Sequence, residues 1–184
     1  MRIVSGKFRG KRFSPPKSFS ARPTTDVAKE SLFNILENDY YMDEIRVLDL
    51  FSGTGSISYE FFSRGCNDVT AVELDIHHFK FIERTIAELK AEKNINLYKA
   101  DAFKFVKKNS LFYDIIFADP PFDLPNLETL PVLIFENQHL KPEALLIIEH
   151  SFSTDFSTMP YFFKQKNYGK VNFSFFSKKQ ATQE

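Results

Sequence analysis

Cysteine is almost absent. A single one, Cys66, stands in 184 residues, so no disulfide can form within the chain and a reducing compartment suits it. Tryptophan is missing, while phenylalanine occurs 22 times, a packing preference rather than a functional sign. No apolar run approaches the roughly 20 residues of a membrane helix, and the first residues lack the apolar stretch of a secretion signal. The expectation is a cytoplasmic protein that does not touch membranes. Internal repeats and low-complexity tracts are absent too. His77 and His78 are adjacent, so on a helix they would point apart, and Cys66 has no ligand partner at a suitable spacing. No metal site is expected, and nothing resembles a nucleophile elbow or a catalytic serine arrangement. What is present is ordinary for a globular chain, 43% hydrophobic and 26% charged, and its length suits one domain over residues 1–184.

Net charge is also lacking, at +0, which at first argues against a nucleic-acid partner. The distribution says otherwise. Residues 1–25 hold Arg2, Lys7, Arg9, Lys11, Arg12, Lys17 and Arg22 and no acid, which leaves 17 basic residues to face all 24 acidic ones. A basic arm on an acidic body is the expected arrangement. Gly6 and Gly10 punctuate the arm and Phe8 and Phe13 interleave with its charges, as in a short hairpin over 2–13 turning near Gly10.

After the arm, "RPTTDVAKESLFNILEN" predicts a helix capped by Thr24 or Thr25, with Val27, Ser31, Leu32, Ile35 and Leu36 on one face. From there strands and helices alternate. Strands are expected at 45–51, 68–74, 95–100, 113–118 and in "ALLIIEH" (144–150). Helices are expected in "SISYEFFSRG", around Phe79 to Leu89, around "FKFVKK" and around Leu127 to Phe135. Residues 151–177, with seven phenylalanines, read as core and a closing pair of strands. Nearly all-apolar strands alternating with helices imply a parallel sheet covered on both faces.

Each of the first four strands ends on or beside an acid: Asp49, Glu73, Asp101 and Asp119. In such sheets the ligand crevice lies beyond the carboxyl ends of the strands, so the four carboxylates should converge. Between the first strand and its helix lies "DLFSGTG", where Gly53 and Gly55 let backbone amides approach a ligand. A nicotinamide-dependent dehydrogenase is the nearest competitor, but the third glycine of its fingerprint is replaced by Ser58. A pyrophosphate would also be repelled by several acids. S-adenosylmethionine (SAM), with a sulfonium and an ammonium, suits them, and Glu73 is placed for ribose hydroxyls.

The fourth strand runs into "FADPPF". Proline gives a sheet no donor, so the strand stops at Asp119 and presents Pro120, Pro121 and Phe122. An exocyclic amino group of a nucleobase is a poor nucleophile because its lone pair is delocalised into the ring. The Asp119 carboxylate and the Pro120 carbonyl could accept its hydrogens and localise that lone pair, while Phe122 stacks on the base. Glu149 and His150 end the fifth strand and could border the substrate pocket, although a capping or surface role is the expectation.

The order "RPTTD…ESLFNIL", "VLDLFSGTG", "VEL", "DA", "FADPPF" and "IIEHS", with "RIVSGKFRGKRF" before it, resembles the bacterial 16S ribosomal RNA guanine-N2 methyltransferases of the RsmD family. The resemblance runs over nearly the whole chain. It implies a Rossmann-like class I SAM-dependent methyltransferase fold: a three-layer α/β sandwich with a seven-stranded, mostly parallel sheet whose last strand is antiparallel, plus a basic N-terminal hairpin (1–25) on a catalytic core (26–184). It implies SAM as cofactor, held by Asp49, Phe51, Ser52, Gly53, Thr54, Gly55, Glu73, Leu74, Asp101 and Ala102. Asp119 to Phe122 would surround a guanine of small-subunit ribosomal RNA, naked or in a particle. Lys7, Arg9, Lys11, Arg12, Arg22 and Thr24 would contact RNA, and the protein would act as a monomer without metal. Two other readings stay open: an adenine-N6 methyltransferase, and a non-catalytic RNA-binding or assembly protein. The chain departs from many relatives at Thr85, where they have asparagine.

Overall fold

The short apolar runs become neighbouring strands of one sheet. The computed structural model describes residues 1–16, 19, 24–137, 140–169 and 171–178. Along the chain come α1 (Asp26–Asp39), β1 (Arg46–Leu50), α2 (Ser56–Ser63), β2 (Asp68–Glu73), α3 (Ile76–Leu89), β3 (Ile95–Lys99), α4 (Ala102–Lys108), β4 (Tyr113–Ala118), α5 (Thr129–Glu136), β5 (Leu140–His150), β6 (Phe162–Tyr168) and β7 (Val171–Phe176). The sheet order is β3-β2-β1-β4-β5-β7-β6. Strands β1 to β5 pair in parallel, and β7 runs antiparallel to both its neighbours. This is the expected doubly wound sheet with its last strand reversed. The strand order turns back between β1 and β4, and at that switch point a crevice opens at the carboxyl edge.

Alternation along the strands divides the core. Val47, Val69, Ile115 and Ile147 face a layer containing Leu32 and Leu36 of α1 and Ile82 and Ile86 of α3. Leu48, Val72, Ile116 and Ile148 face Val106 of α4 and Leu130 and Ile134 of α5. Both faces are covered, which is why the strands read as continuous apolar runs.

Two expectations are corrected. The buried face of α1 is Ala28, Lys29, Leu32, Phe33 and Leu36, and Val27 is 70% exposed. The rotation follows from Lys29, whose buried ammonium bonds the Arg2 carbonyl at 2.6 Å and lies 3.6 Å from Glu60. Strand β5 begins at Leu140 rather than at 144, with Pro142 inside it. Proline is accommodated because the pairing with β4 is irregular there: the partner of Tyr113 is Leu140, whereas that of Ile115 is Leu145.

The N-terminal segment is the expected hairpin: Arg2 bridges Arg12 antiparallel, the Ile3 amide donates to the Lys11 carbonyl at 3.0 Å and the Gly10 amide to the Ile3 carbonyl at 2.9 Å, and its turn spans residues 5–10. It is docked rather than free. The amides of Val4 and Ser5 each donate to the buried Glu60 carboxylate at 2.9 Å, and the Lys7 amide donates to the Ser63 carbonyl at 2.6 Å. Gly6, at φ +78°, is needed where the loop meets α2, since a Cβ would lie 1.9 Å from the Ser63 oxygen.

Candidate active site

Register aligns the acids. Leu50 pairs with Val72 and with Ala118, and Ala118 pairs with Ile148. One step further, Glu73, Phe51, Asp119 and Glu149 share a rung at the carboxyl edge. Asp49 lies two rungs below, paired with Ala71 and Phe117.

Residue 51 ends β1 because Phe51 turns to φ +60°, a left-handed conformation uncommon outside glycine. Ser52 then serves the fold: its hydroxyl donates to the Asp49 carbonyl at 2.9 Å and accepts from the Val72 amide at 3.1 Å. Gly55 caps α2 at φ +77°, and a Cβ there would collide with the Tyr59 hydroxyl at 2.4 Å. Thr54 is buried. The Gly53 amide donates to Glu73 Oε2 and the Asp75 amide to Glu73 Oε1, both at 2.7 Å. Each Glu73 oxygen thus has one lone pair committed to backbone and one left for a ligand.

Asp49 is 1% exposed, and its Oδ2 accepts from the Ser58 amide at 3.2 Å and the Ser58 hydroxyl at 2.5 Å. Burial outweighs those bonds and pushes its carboxyl up to about 7. Ser58, which breaks the dehydrogenase fingerprint, is thus the partner of Asp49. Asp101 caps α4 by accepting from the Lys104 amide at 2.9 Å, with Ala102 buried behind it.

On the other side, Asp119 leaves β4 with its carboxylate free of hydrogen bonds among the described residues. Desolvation, then the charges of Glu149 and Asp49, hold it well above the ordinary carboxylate range. Pro120 is buried and Pro121 exposed, and the Phe122 ring is 57% exposed, a cost in water that a stacked partner would remove. Sequence reasoning allowed Glu149 a place beside the pocket but favoured a capping or surface role, and missed its burial. It is not a surface residue: it is 3% exposed, accepts from the Thr24 hydroxyl at 2.8 Å, and is pushed up to about 7 by burial. The signal available was its place at the end of β5, level with Asp119. His150 is buried too, between the Ser151 carbonyl and the Ser174 hydroxyl at 2.8 Å each.

Phe51, Gly53, Glu73, Leu74, Asp101, Ala102 and Asp119 to Phe122 line one continuous crevice of about 880 Å³, a volume that suits a cofactor and part of a substrate. Phe103, which was not anticipated, adds a ring edge-on to Phe51 at 6.3 Å. The RNA-binding candidates do not gather there. Lys7, Arg9 and Lys11 sit by the C-terminal ends of α2 and α3, Lys11 paired with Glu88 at 3.0 Å. Those helix ends face the opposite edge of the sheet, because the crossovers run against the strands. Arg12 bridges to Arg2. Thr24 is buried against Glu149 and so does not face solvent. Lys17, Arg22 and Pro23 lie outside the described residues.

Residues 1–177 match the family described as "Conserved hypothetical protein 95". The chain is 32% identical over 160 residues to ribosomal RNA small subunit methyltransferase D of Escherichia coli K12, covering 87% of this chain and 79% of that one. To the protein of the same name from Haemophilus influenzae it is 34% identical over 152 residues, covering 81% and 78%. The chain belongs to the RsmD family. The structure of the E. coli methyltransferase-like protein yhhF superposes with a TM-score of 0.82 at 30% identity, over 96% of both chains. A Thermus thermophilus protein, TTHA0928, superposes at 0.83 over 96% and 99%, and at 20% identity it speaks for the fold alone. The RsmD-family sheet, seven-stranded with one reversed strand, is that of the class I methyltransferases. No described helix is long and apolar enough to cross a membrane.

Proposed function

We propose that this chain methylates the exocyclic N2 amino group of one guanine in 16S ribosomal RNA, using SAM. The observation that carries this reading is the single crevice that joins the glycine loop and Glu73 to the Asp119–Phe122 segment. The donor set suits SAM. Asp49 and Glu149 are buried carboxyls held near 7, and Asp119 is held high as well, and a cationic ligand would relieve all three. A pyrophosphate would aggravate them. The RsmD relatives named for small-subunit ribosomal RNA support the substrate class.

When bound, SAM supplies a methyl group on a positively charged sulfur. The chain's own residues do the rest. Gly53 and the open lone pairs of Glu73 hold the ribose end, Asp101 and Ala102 flank the adenine beside Phe103, and Asp49 fixes the loop through Ser58. Asp119 and the Pro120 carbonyl accept the amino hydrogens of the guanine, turning the nitrogen lone pair out of the ring plane, and Phe122 holds the base by stacking. Asp119, which desolvation and the charges of Glu149 and Asp49 hold above the ordinary carboxylate range, acts on the amino group by orientation and charge, and the proton that the nitrogen loses leaves after methyl transfer. The whole of residues 1–184 acts as one domain. Incubating the protein with labelled SAM and small-subunit RNA or particles, then digesting to nucleosides, yields N2-methylguanosine. Label confined to adenine, or none in any RNA, overturns the assignment.

A further inference from the structure

A second hollow, of about 530 Å³, lies along the first turns of α3. Phe19, His77, His78, Lys80, Phe81 and Arg84 line it, with Asp75 at its edge. Asp75 and His78 also line the main crevice, so the two spaces meet at the start of α3. The floor is apolar: the Phe19 ring lies 4.2 Å from His78 and stands edge-on to Phe81 at 5.7 Å. The rim is cationic through Lys80 and Arg84. With His77 they are spaced three and four residues apart, share one side of the helix and are exposed. Arg84 is steadied over the Phe81 ring at 5.6 Å. Neither Lys80 nor Arg84 forms an ion pair among the described residues. Of the acids nearby, Asp75 has Oδ1 engaged by the amides of His77 and His78, and Glu73, 3.9 Å from the His78 ring, has its oxygens engaged by the Gly53 and Asp75 amides on the crevice side. Further along the same face, Glu88 is neutralised by Lys11.

We infer that this hollow seats the phosphodiester backbone of RNA immediately beside the methylated nucleotide, with Lys80 and Arg84 on phosphate oxygens and the Phe19–Phe81 floor under a sugar or base. This rests on the RNA methylation reading above. A base delivered to Phe122 must have neighbours that leave the crevice mouth. The exit past Phe122 presents exposed Asp123 and Glu128, which repel phosphate. The exit past His78 presents cations and rings, and it leads along α3 toward Lys11 and the basic loop. The arm's charges, remote from the crevice, thereby become the far end of one track.

The test uses Lys80→Ala/Arg84→Ala in the full chain, with binding to small-subunit RNA measured over a salt series and SAM binding measured separately. The double variant binds RNA about tenfold more weakly at 0.1 M salt. Its slope of log affinity against log salt falls by about 1.4, two single-strand phosphate contacts. SAM affinity and kcat at saturating RNA stay as they were, while KM for RNA rises. Lys107→Ala/Lys108→Ala, on the last turn of α4, leaves the slope unchanged. An unaltered affinity and slope in the Lys80/Arg84 variant overturns the inference, as does a lowered kcat with KM unmoved. RNA binding is read without methyl transfer, so absence of any N2-methylguanosine from the unaltered protein would refute the activity and leave this result standing.

Discussion

Thr24 donates its hydroxyl to Glu149 at 2.8 Å, joining the start of α1 to the end of β5 across 125 positions of sequence. The same Glu149 sits level with Asp119 and is the nearby charge that most opposes its ionisation. The segment before α1 is thus wired to a carboxylate that lines the crevice. Glu149→Gln preserves shape and can still accept from Thr24, but it removes the like charge. Asp119 then ionises at lower pH, and the acid limb of the methyl-transfer pH profile moves toward lower pH. Single-turnover rates across pH read this directly, and an unmoved limb would refute the coupling.

Asp119→Ala removes the crevice-lining acceptor proposed to hold the substrate's amino group. Transfer falls by roughly 10²–10³-fold or more, the scale of losing one aligned partner of the reacting group, while SAM affinity changes little. Asp119→Asn retains a carbonyl acceptor and keeps more activity than the alanine variant. Equal rates in the parent and the alanine variant would end the role assigned to Asp119.

The sheet and most of the crevice were legible because they are local. Apolar runs, the glycine loop and the acids at strand ends each announce themselves within a few residues, and β4 falls at 113–118 as its pattern predicts. What escaped was set by distant partners. Lys29 is buried because Glu60 waits for it 31 residues on, and that contact turned the face of α1 away from the one that periodicity gave. The strand-end place of Glu149 hinted at Asp119, but nothing near it in sequence reveals Thr24, the partner with which it is buried. Ser52 reads as part of a ligand loop, yet its hydroxyl splices β1 to β2.

Stability follows the buried acids. Above about pH 4 an unfolded chain has released these protons, whereas native Asp49 and Glu149 keep theirs until about 7. The native state holds more protons across that window, so stability declines as pH rises through it and levels off above. Tm is several degrees lower at pH 8 than at pH 5.5, and Asp49→Asn flattens the dependence. SAM, being cationic, raises Tm more at pH 8 than at pH 5.5. Thermal scans in matched ionic strength check both statements, and a Tm rising over this interval would contradict them.

Gly6 and Gly10 have nearly the same backbone angle, φ +78° and +86°, but different surroundings. At Gly10 a Cβ meets nothing within 4 Å, so Gly10→Ala costs only the conformational strain of about 1 kcal/mol. At Gly6 the added carbon would sit 1.9 Å from the Ser63 carbonyl oxygen, which is backbone and already accepts from Lys7. Neither group can yield, so the loop must lift from α2 and give up the Val4 and Ser5 bonds to Glu60. Glu60, buried with Lys29 and Arg64, would lose two of its donors. Gly6→Ala therefore costs roughly 3 kcal/mol or more, against about 1 for Gly10→Ala. It also speeds amide exchange at Val4, Ser5 and Lys7. Equal destabilisation by the two substitutions would show that the loop is not held against α2 in solution.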